Sequence, residues 1–471
     1  MSLEQRIEHW LNQLQTTPQS SHRHKQTTAK RRRLNPSTPD PSESDHGMAS
    51  RGQSQSRASS KRKTTESPTP YHDQTDDFET PRPKRKLKAP NSESGTSLAS
   101  SEISSRSGYS SPTKQLRDLE FHDRGVVAKE LKDFHTKPAS LKLLLQKIDR
   151  SSAGCAILPT SLRDTMNELD PVLYENFDWT KDSFTGQFCF SDERDKLGQT
   201  PPPMLVRDIL DAAGTCNTGA CSEAEWNTEV HFLVLRAALR PFKYPQTDPV
   251  FDFRLSTTTS IIPTYQATSA SKKVDFCAYI DPAHDSAADV SDTIRALRSV
   301  LPLGMFNYTN QSLLKDKPIA VSIETKKTGE GWDNARLQME VWMAAHWQFL
   351  RQLLDLRQRM AEQVAKKLGS ALPGPGLDKT WKLPEFLPGI IIQGHDWYLI
   401  ITTPEGEKIA FWQKKLLGQT SESKGIYAIV FNLQLLREWA MNEYWKWMKE
   451  LLLGWPRYQG KLVVTVSSEK E

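Results

Sequence analysis

The sequence predicts an α/β fold: a central mixed β-sheet flanked by helices, preceded by a long disordered N-terminal tail. Three observations lead there. Residues 15–113 are dominated by Ser, Thr, Pro, Lys and Arg and nearly lack aromatic residues. The segment Pro318–Lys327, PIAVSIETKK, is small or apolar on both faces over its first half, as expected of a central strand covered on both sides. Apolar stripes at helical spacing stand on either side of it, over Ser222–Leu239 and beyond Gly331.

The tail is set apart by charge. The chain of 471 residues has a net charge of +5. Residues 1–113 hold 18 Lys+Arg against 12 Asp+Glu, a net of +6, so residues 114–471 carry about −1. A near-neutral body does not bind polyanions over its whole surface, and any nucleic-acid contact there must come from a local patch. Within 1–14, SLEQRIEHWLNQL places Ile7, Trp10, Leu11 and Leu14 at helical spacing, a short amphipathic helix that docks on the body or binds a partner. The stretch 15–113 cannot bury enough apolar surface to offset its ordering entropy. Its basic clusters, Lys30–Arg33, Lys61–Lys63 and Lys84–Lys88, read as signals for the nuclear import machinery or as nucleic-acid contacts, so the nucleus is the expected location. Ser/Thr-Pro steps at Thr38, Ser67, Thr69, Thr80 and Ser111 have the form of proline-directed phosphorylation sites, where added negative charge would offset the clusters.

The five cysteines are scattered, with no CxxC and no His/Cys spacing suited to zinc, so unpaired thiols in a reducing compartment are expected. No apolar run reaches membrane-spanning length and no apolar N-terminal segment appears; the expectation is a soluble intracellular protein with no membrane partner.

Residues 114–221 read as a helical N-terminal extension. Leu116, Leu119, Val126, Val127, Leu131 and Phe134 suggest one helix and Leu141–Ile148 another, followed by Pro-rich loops around Pro201–Pro203. From Ser222 the elements are clearer. Ser222 is an N-cap for a helix to Leu239, whose stripe is Trp226, Val230, Val234 and Ala237, with Glu225 and Glu229 at its edge. Lys272–Asp281 alternates as a strand with Asp275 inside it; the acid is either a metal ligand or an edge-strand carboxylate facing water. On Ile319–Lys327, Glu324 and Lys326 share a face at a strand end, where buried charges are costly unless paired or bound to a metal. Two carboxylates on neighbouring strands can hold Mg²⁺, and a nearby Lys can orient water and neutralise a phosphate; the alternative is a Glu–Lys ion pair closing the strand. A helix then begins near Asp333, with Gln338 extending the inward line of Trp342, Ala345, Phe349, Leu353 and Leu356. Strands are expected at Gly389–Gln393, Trp397–Thr402 and 407–413, then a long helix with Leu436, Ala440, Tyr444, Trp447 and Leu451 in line. The many tryptophans read as core. A helix is expected at Ser291–Ser299, and residues 457–471 read as a C-terminal tail.

The order of helix acid, strand Asp, strand Glu-x-Lys, helix Gln and further strands resembles the PD-(D/E)xK, or restriction-endonuclease-like, superfamily, and among its members the fungal PD-(D/E)xK nuclease-like domain proteins. The similar stretches are EAEWNTEVH (Glu223–His231), VDFCAYIDP (Val274–Pro282), DKPIAVSIETK (Asp316–Lys326), LPGIIIQGHDWY (Leu387–Tyr398) and GIYAIVFNLQLLREWA (Gly425–Ala440). The resemblance implies a restriction-endonuclease-like core over 222–456. It implies Asp275, Glu324, the Thr325 carbonyl and Glu225 as ligands of Mg²⁺ or Mn²⁺, with Glu223 or Glu229 as the alternative helix acid. Lys326 would be the catalytic lysine and Gln338 an auxiliary polar group. Two departures stand out: roughly 40 residues separate the Asp strand from the Glu-x-Lys strand, and Val274 rather than Pro precedes Asp275. The expected activity is hydrolysis of nucleic-acid phosphodiester bonds, with DNA as substrate, by a metal-activated water. The alternative is a catalytically inactive nuclease-fold scaffold acting as a nuclear DNA-associated or protein-interaction factor.

Overall fold

The computed structural model describes residues 111–240, 250–268, 272–368 and 381–464. The amphipathic segment 1–14, the tail to residue 110 with its basic clusters, and the last residues from 465 lie outside the described residues.

Seven strands form one mixed sheet: β1 (Val126–Glu130), β2 (Phe251–Leu255), β3 (Phe276–Ile280), β4 (Ile319–Lys326), β5 (Leu387–Gln393), β6 (Asp396–Glu405) and β7 (Lys408–Gln419). Their order is β1-β7-β6-β5-β4-β3-β2. The pairs β4–β5 and β1–β7 are parallel and the others antiparallel. β4 lies inside the sheet between β5 and β3, with all eight of its residues buried, as its two apolar faces predict. The parallel step from β4 to β5 needs a crossover, supplied by the helix Trp332–Leu368. That helix buries Trp342, Ala345, Phe349 and Leu353 as the sequence stripe requires. Its indole groups also tie it to the sheet: Trp342 Nε1 donates to Ser322 Oγ at 2.9 Å and Trp347 Nε1 to Thr402 Oγ1 at 2.9 Å. The helix Ala288–Arg298 fills the long β3–β4 connection, close to the predicted Ser291–Ser299.

Three expectations are corrected. The stretch from Leu116 to Phe134 is not one helix: a helix over Pro112–Phe121 ends in a tight reversal, and Val126–Glu130 continues as β1 along β7. The reversal depends on Gly125, where a Cβ would lie 1.8 Å from the Leu119 carbonyl oxygen. The following β-branched pair Val126–Val127 suits a strand better than a helix. The 114–221 extension therefore supplies a sheet strand as well as helices, and Pro203 starts the helix Pro203–Thr218 at a position where proline is well tolerated. Within the expected C-terminal tail, Arg457–Tyr458 and Lys461–Leu462 pair as a small hairpin.

Two buried histidines make a pH prediction. His346 stacks on Tyr308 at 4.7 Å and shares a 3.1 Å hydrogen bond with Tyr444 Oη, while burial pushes its pKa down to about 3. Burial likewise lowers His231 to about 4. Unfolded histidine titrates near 6.5. Below that pH the unfolded chain binds protons that the folded chain refuses, so this contribution to stability is complete above about 6.5 and is lost as pH falls toward 3–4. Each such histidine costs up to ~1.4 kcal/mol per pH unit in that window. Denaturant melts of the wild type and His346→Gln at pH 7.5 and pH 5 should show the variant losing about 2 kcal/mol less between the two. Equal losses would mean that His346 is not held neutral.

Candidate active site

The end of β4 carries the site. Lys326 is its last residue, and Glu324 is completely buried two positions earlier. Across the sheet, Asp275 immediately precedes β3 rather than lying inside it, but its N–H still donates to the Ile323 carbonyl at 3.0 Å. That bond brings its carboxylate beside Thr325, whose N–H and Oγ1 donate to Asp275 Oδ2 at 2.8 and 2.9 Å. The third wall is the helix that follows Ser222. It runs through Glu223–Glu225, a π-helical turn at Trp226–His231, and Phe232–Leu239.

The helix settles the position of its acids. Ser222 Oγ accepts from the Glu225 N–H, and Glu225 Oε2 accepts from the Ser222 N–H at 2.6 Å, a reciprocal capping box. This engages Glu225 at the helix start in solvent, away from Lys326, and Glu229 is also exposed. Glu223, two residues before Glu225, is the acid whose Oε2 lies 3.0 Å from Lys326 Nζ. The expected helix acid Glu225 is thus replaced at the charge cluster by Glu223. The S-x-x-E pattern of a capping box, Ser222 to Glu225, was the sequence signal for it.

Lys326 Nζ is the centre of the cluster. It lies 2.6 Å from Glu324 Oε1, 3.0 Å from Glu223 Oε2 and 2.8 Å from the Thr325 carbonyl oxygen. Burial disfavours the ammonium, but the charges of Glu324, Glu223 and Asp275 outweigh it and raise the lysine pKa. Burial pushes all three carboxyl groups up, Glu324 most strongly, with Asp275 adding to the effect on Glu324 and Lys326 opposing it. Three carboxylates against one ammonium leave an excess of negative charge in a desolvated place.

Two polar residues flank the cluster. Asn227, in the π turn, hydrogen-bonds Asp275 and stands 3.1 Å from His231 Nδ1. His231 Nε2 is 3.2 Å from the Gly394 carbonyl oxygen, and the Gly394 N–H donates to the Lys326 carbonyl at 2.8 Å. Gly394 adopts φ +55° in the two-residue β5–β6 turn, and a Cβ there would meet Thr328 Oγ1 at 2.2 Å, so glycine is required. Asn227 escaped the sequence reading because the π turn breaks the helical period that would have aimed it. Gln338 is half-buried and donates to the Lys273 carbonyl at 3.1 Å; it braces the approach to Asp275 and touches none of the four charged groups.

An aromatic shelf lies beside the cluster. Glu324 is in register with Ile391, and Ile391 with Tyr398, so Tyr398 shares the sheet face of Glu324 two strands, or about 10 Å, away. Trp332 meets Tyr398 edge-on at 5.7 Å, and the exposed Lys414 places its Nζ 4.4 Å from both ring centres.

Among the described residues, no three His, Cys, Asp or Glu side chains stand close enough together to hold a metal ion as placed. The oxygens of Glu324, Thr325 and Glu223 converge on the Lys326 ammonium instead. Even so, the donor set fits a hard divalent cation. Among the described residues Glu324 Oε2 is buried with no hydrogen-bond partner, and one ammonium, that of Lys326, faces the carboxylates of Glu324 and Glu223.

A mixed sheet that gathers an Asp, a Glu-x-Lys pair and a helix acid at one strand end defines a restriction-endonuclease-like α/β core. The family model described as the PD-(D/E)XK nuclease superfamily matches residues 173–445, and the chain belongs to that superfamily. No significant match was found among curated proteins or among solved structures.

Proposed function

We propose that the protein is a divalent-metal-dependent nuclease that hydrolyses phosphodiester bonds of DNA. The observation that carries this reading is the buried cluster of Asp275, Glu324, Glu223 and Lys326, with one oxygen of Glu324 lacking any donor. Asp275, Glu324 and the Thr325 carbonyl would hold Mg²⁺ or Mn²⁺, with Glu223 as the helix acid in place of Glu225. When bound, the cation lowers the pKa of water and offsets charge on the phosphate. The protein's own residues do the rest. Thr325 fixes one oxygen of Asp275 through two hydrogen bonds, Asn227 supports Asp275 from the helix, and Lys326 presents an ammonium that can donate to a phosphate oxygen or to the attacking water. Full-length protein should cut DNA with Mg²⁺ or Mn²⁺ and stop with chelator. No cleavage of duplex, branched or single-stranded DNA with either cation would refute turnover.

The shelf of Trp332, Tyr398 and Lys414 offers the local patch that a near-neutral body needs for nucleic acid. A base stacked on an aromatic ring contributes ~1–3 kcal/mol. In the cleavage-deficient Glu324→Gln background, Trp332→Ala should weaken DNA binding about tenfold by fluorescence anisotropy, and Lys414→Ala should flatten its salt dependence. Unchanged affinity in both would remove the shelf from the substrate path.

One observation favours a second reading, a nuclease-fold scaffold without turnover: the Lys326 ammonium already fills the space among the Glu324, Thr325 and Glu223 oxygens. Calorimetric titration of Mg²⁺ and Mn²⁺ into wild type and Asp275→Ala separates the two, since a scaffold of this kind binds neither ion. The basic clusters of the tail support nuclear import; a fluorescent fusion lacking residues 1–110 should lose nuclear accumulation if they act that way.

A further inference from the structure

One pair of side chains stands beside the site without belonging to the charge cluster. The helix Pro203–Thr218 ends in a complete Schellman turn. The Cys221 N–H donates to the Cys216 carbonyl at 3.0 Å and the Ala220 N–H to the Asn217 carbonyl at 3.4 Å, while Ala220 takes the left-handed φ of +49° on which such a turn depends. The two residues joined by the outer bond of this turn ordinarily meet through apolar side chains. Here both are cysteines. Standard backbone dimensions hold their Cα atoms within about 7 Å of each other across that bond, and disulfides span about 4.4–6.8 Å.

The sulfurs are also brought together. A Cβ on Gly219 would lie 3.8 Å from Cys221 Sγ, so that sulfur folds back over the helix end. There it shares a hydrogen bond with the Cys216 thiol. Cys216 is buried and Cys221 half-buried. Burial first, then the Cys221 thiol and the charges of Glu225 and Glu229, push the Cys216 thiol up to about 11. Cys221 is therefore the sulfur that an oxidant reaches, and Cys216 stands behind it as a protonated thiol. The turn adjoins the site at two points. Cys221 directly precedes Ser222, the N-cap of the helix that presents Glu223. Asn217 Oδ1 accepts from Thr328 Oγ1 at 3.1 Å, two residues beyond Lys326.

We propose that Cys216 and Cys221 are a reversible redox pair, closed by an oxidant of the hydroperoxide class into a disulfide that clamps the start of the helix presenting Glu223. With hydrogen peroxide the steps balance. Cys221 Sγ attacks one peroxide oxygen; the S–O bond forms, the O–O bond breaks, and the departing oxygen takes the thiol proton as water, leaving a sulfenic acid. Cys216 Sγ then attacks that sulfur; the S–S bond forms, the S–O bond breaks, and the leaving hydroxide takes the Cys216 proton as a second water. Two electrons pass from the sulfurs to the peroxide, and a dithiol reductant returns them. The inference does not depend on the nuclease reading, because neither cysteine belongs to the charge cluster and the test involves no cleavage.

The test treats reduced full-length protein with graded hydrogen peroxide, blocks the remaining thiols with iodoacetamide in denaturant, and digests with trypsin. Arg207 and Arg236 bound a peptide that holds both cysteines and no third. That peptide should appear unalkylated and lighter by two hydrogen atoms, and dithiothreitol before blocking should return it to the doubly alkylated form. In Cys216→Ala the peptide should instead carry a sulfenic acid on Cys221 that dimedone traps. Cys221→Ser, a change at a half-buried position, should leave Cys216 open to alkylation throughout. Amide hydrogen exchange over 221–226 should be about tenfold slower or more in the oxidised wild type than in the reduced protein, because a covalent link suppresses local opening of the turn. A peptide that stays doubly alkylated up to millimolar peroxide, Cys216 oxidising as readily in Cys221→Ser, or a disulfide from either residue to Cys155, Cys189 or Cys277 would overturn the pair. Unchanged exchange in the oxidised protein would overturn the clamp.

Discussion

Lys326→Met should be among the most destabilising single substitutions in the chain when divalent cations are absent. The methionine keeps the length and apolar stem of the lysine but removes the ammonium that faces Glu324 at 2.6 Å and Glu223 at 3.0 Å. Glu324 is completely buried and Asp275 nearly so, which leaves three carboxylates with no ion-pair partner among the described residues. Removing one partner of a buried ion pair costs about 3–5 kcal/mol, because the remaining charge stays desolvated. In chelator the melting temperature should therefore fall by roughly 5–15 °C. A cation that binds the same oxygens reverses part of the loss, by about 2.7 kcal/mol at a hundred times its dissociation constant. Mg²⁺ or Mn²⁺ should then raise the melting temperature of Lys326→Met more than that of wild type, since no ammonium competes for the oxygens. A melting temperature equal to wild type in chelator would mean that the lysine does not balance the cluster. A variant that is destabilised but indifferent to both cations would mean that these oxygens do not hold a metal.

The cluster was legible in sequence to different degrees, and the reasons are local. β4 announced itself because Ile319–Ile323 is apolar on both faces and a strand of that kind rarely ends in Glu and Lys without a cause. Asp275 was legible as an acid out of place, although its position one residue ahead of β3 was not, since alternation cannot fix a strand end. The choice among Glu223, Glu225 and Glu229 turned on one capping hydrogen bond. The stripe of Trp226, Val230 and Val234 does not contain that information, whereas the spacing of Ser222 and Glu225 does. Gln338 was expected on the inward line of its helix beside the strand end; it is half-buried there, and its amide donates to the Lys273 carbonyl. Asn227 was hidden because it lies in a π turn, which shifts the period on which helix-face reasoning relies. β1 was hidden for a different reason. Val126, Val127 and Leu131 suit either period over so short a run, and only its pairing with β7, far away in the chain, decides for a strand.

Glu324→Gln should act in the opposite direction to Lys326→Met, and that contrast is the sharper test of the site. The amide keeps the shape of the carboxylate and an oxygen for the Lys326 ammonium, while removing one buried negative charge. In the wild type, Glu324 Oε2 has no hydrogen-bond partner among the described residues, burial pushes the carboxyl well above its usual range, and Asp275 repels it further. Replacing that group relieves repulsion among three carboxylates that share one ammonium, so the metal-free variant should melt higher, by about 1–2 kcal/mol in stability. If the protein is the proposed nuclease, the same change removes a metal ligand: cleavage should fall at least a hundredfold, and the rise in melting temperature on adding Mg²⁺ should shrink or vanish. A stability gain coupled to a loss of activity is what a site kept for function at the expense of the fold should give. If Glu324→Gln instead destabilises the metal-free protein as strongly as Lys326→Met, the Glu324–Lys326 pair is holding the strand end together, and its charges are explained by structure alone. If it leaves cleavage intact, Glu324 is not a ligand, whatever its burial.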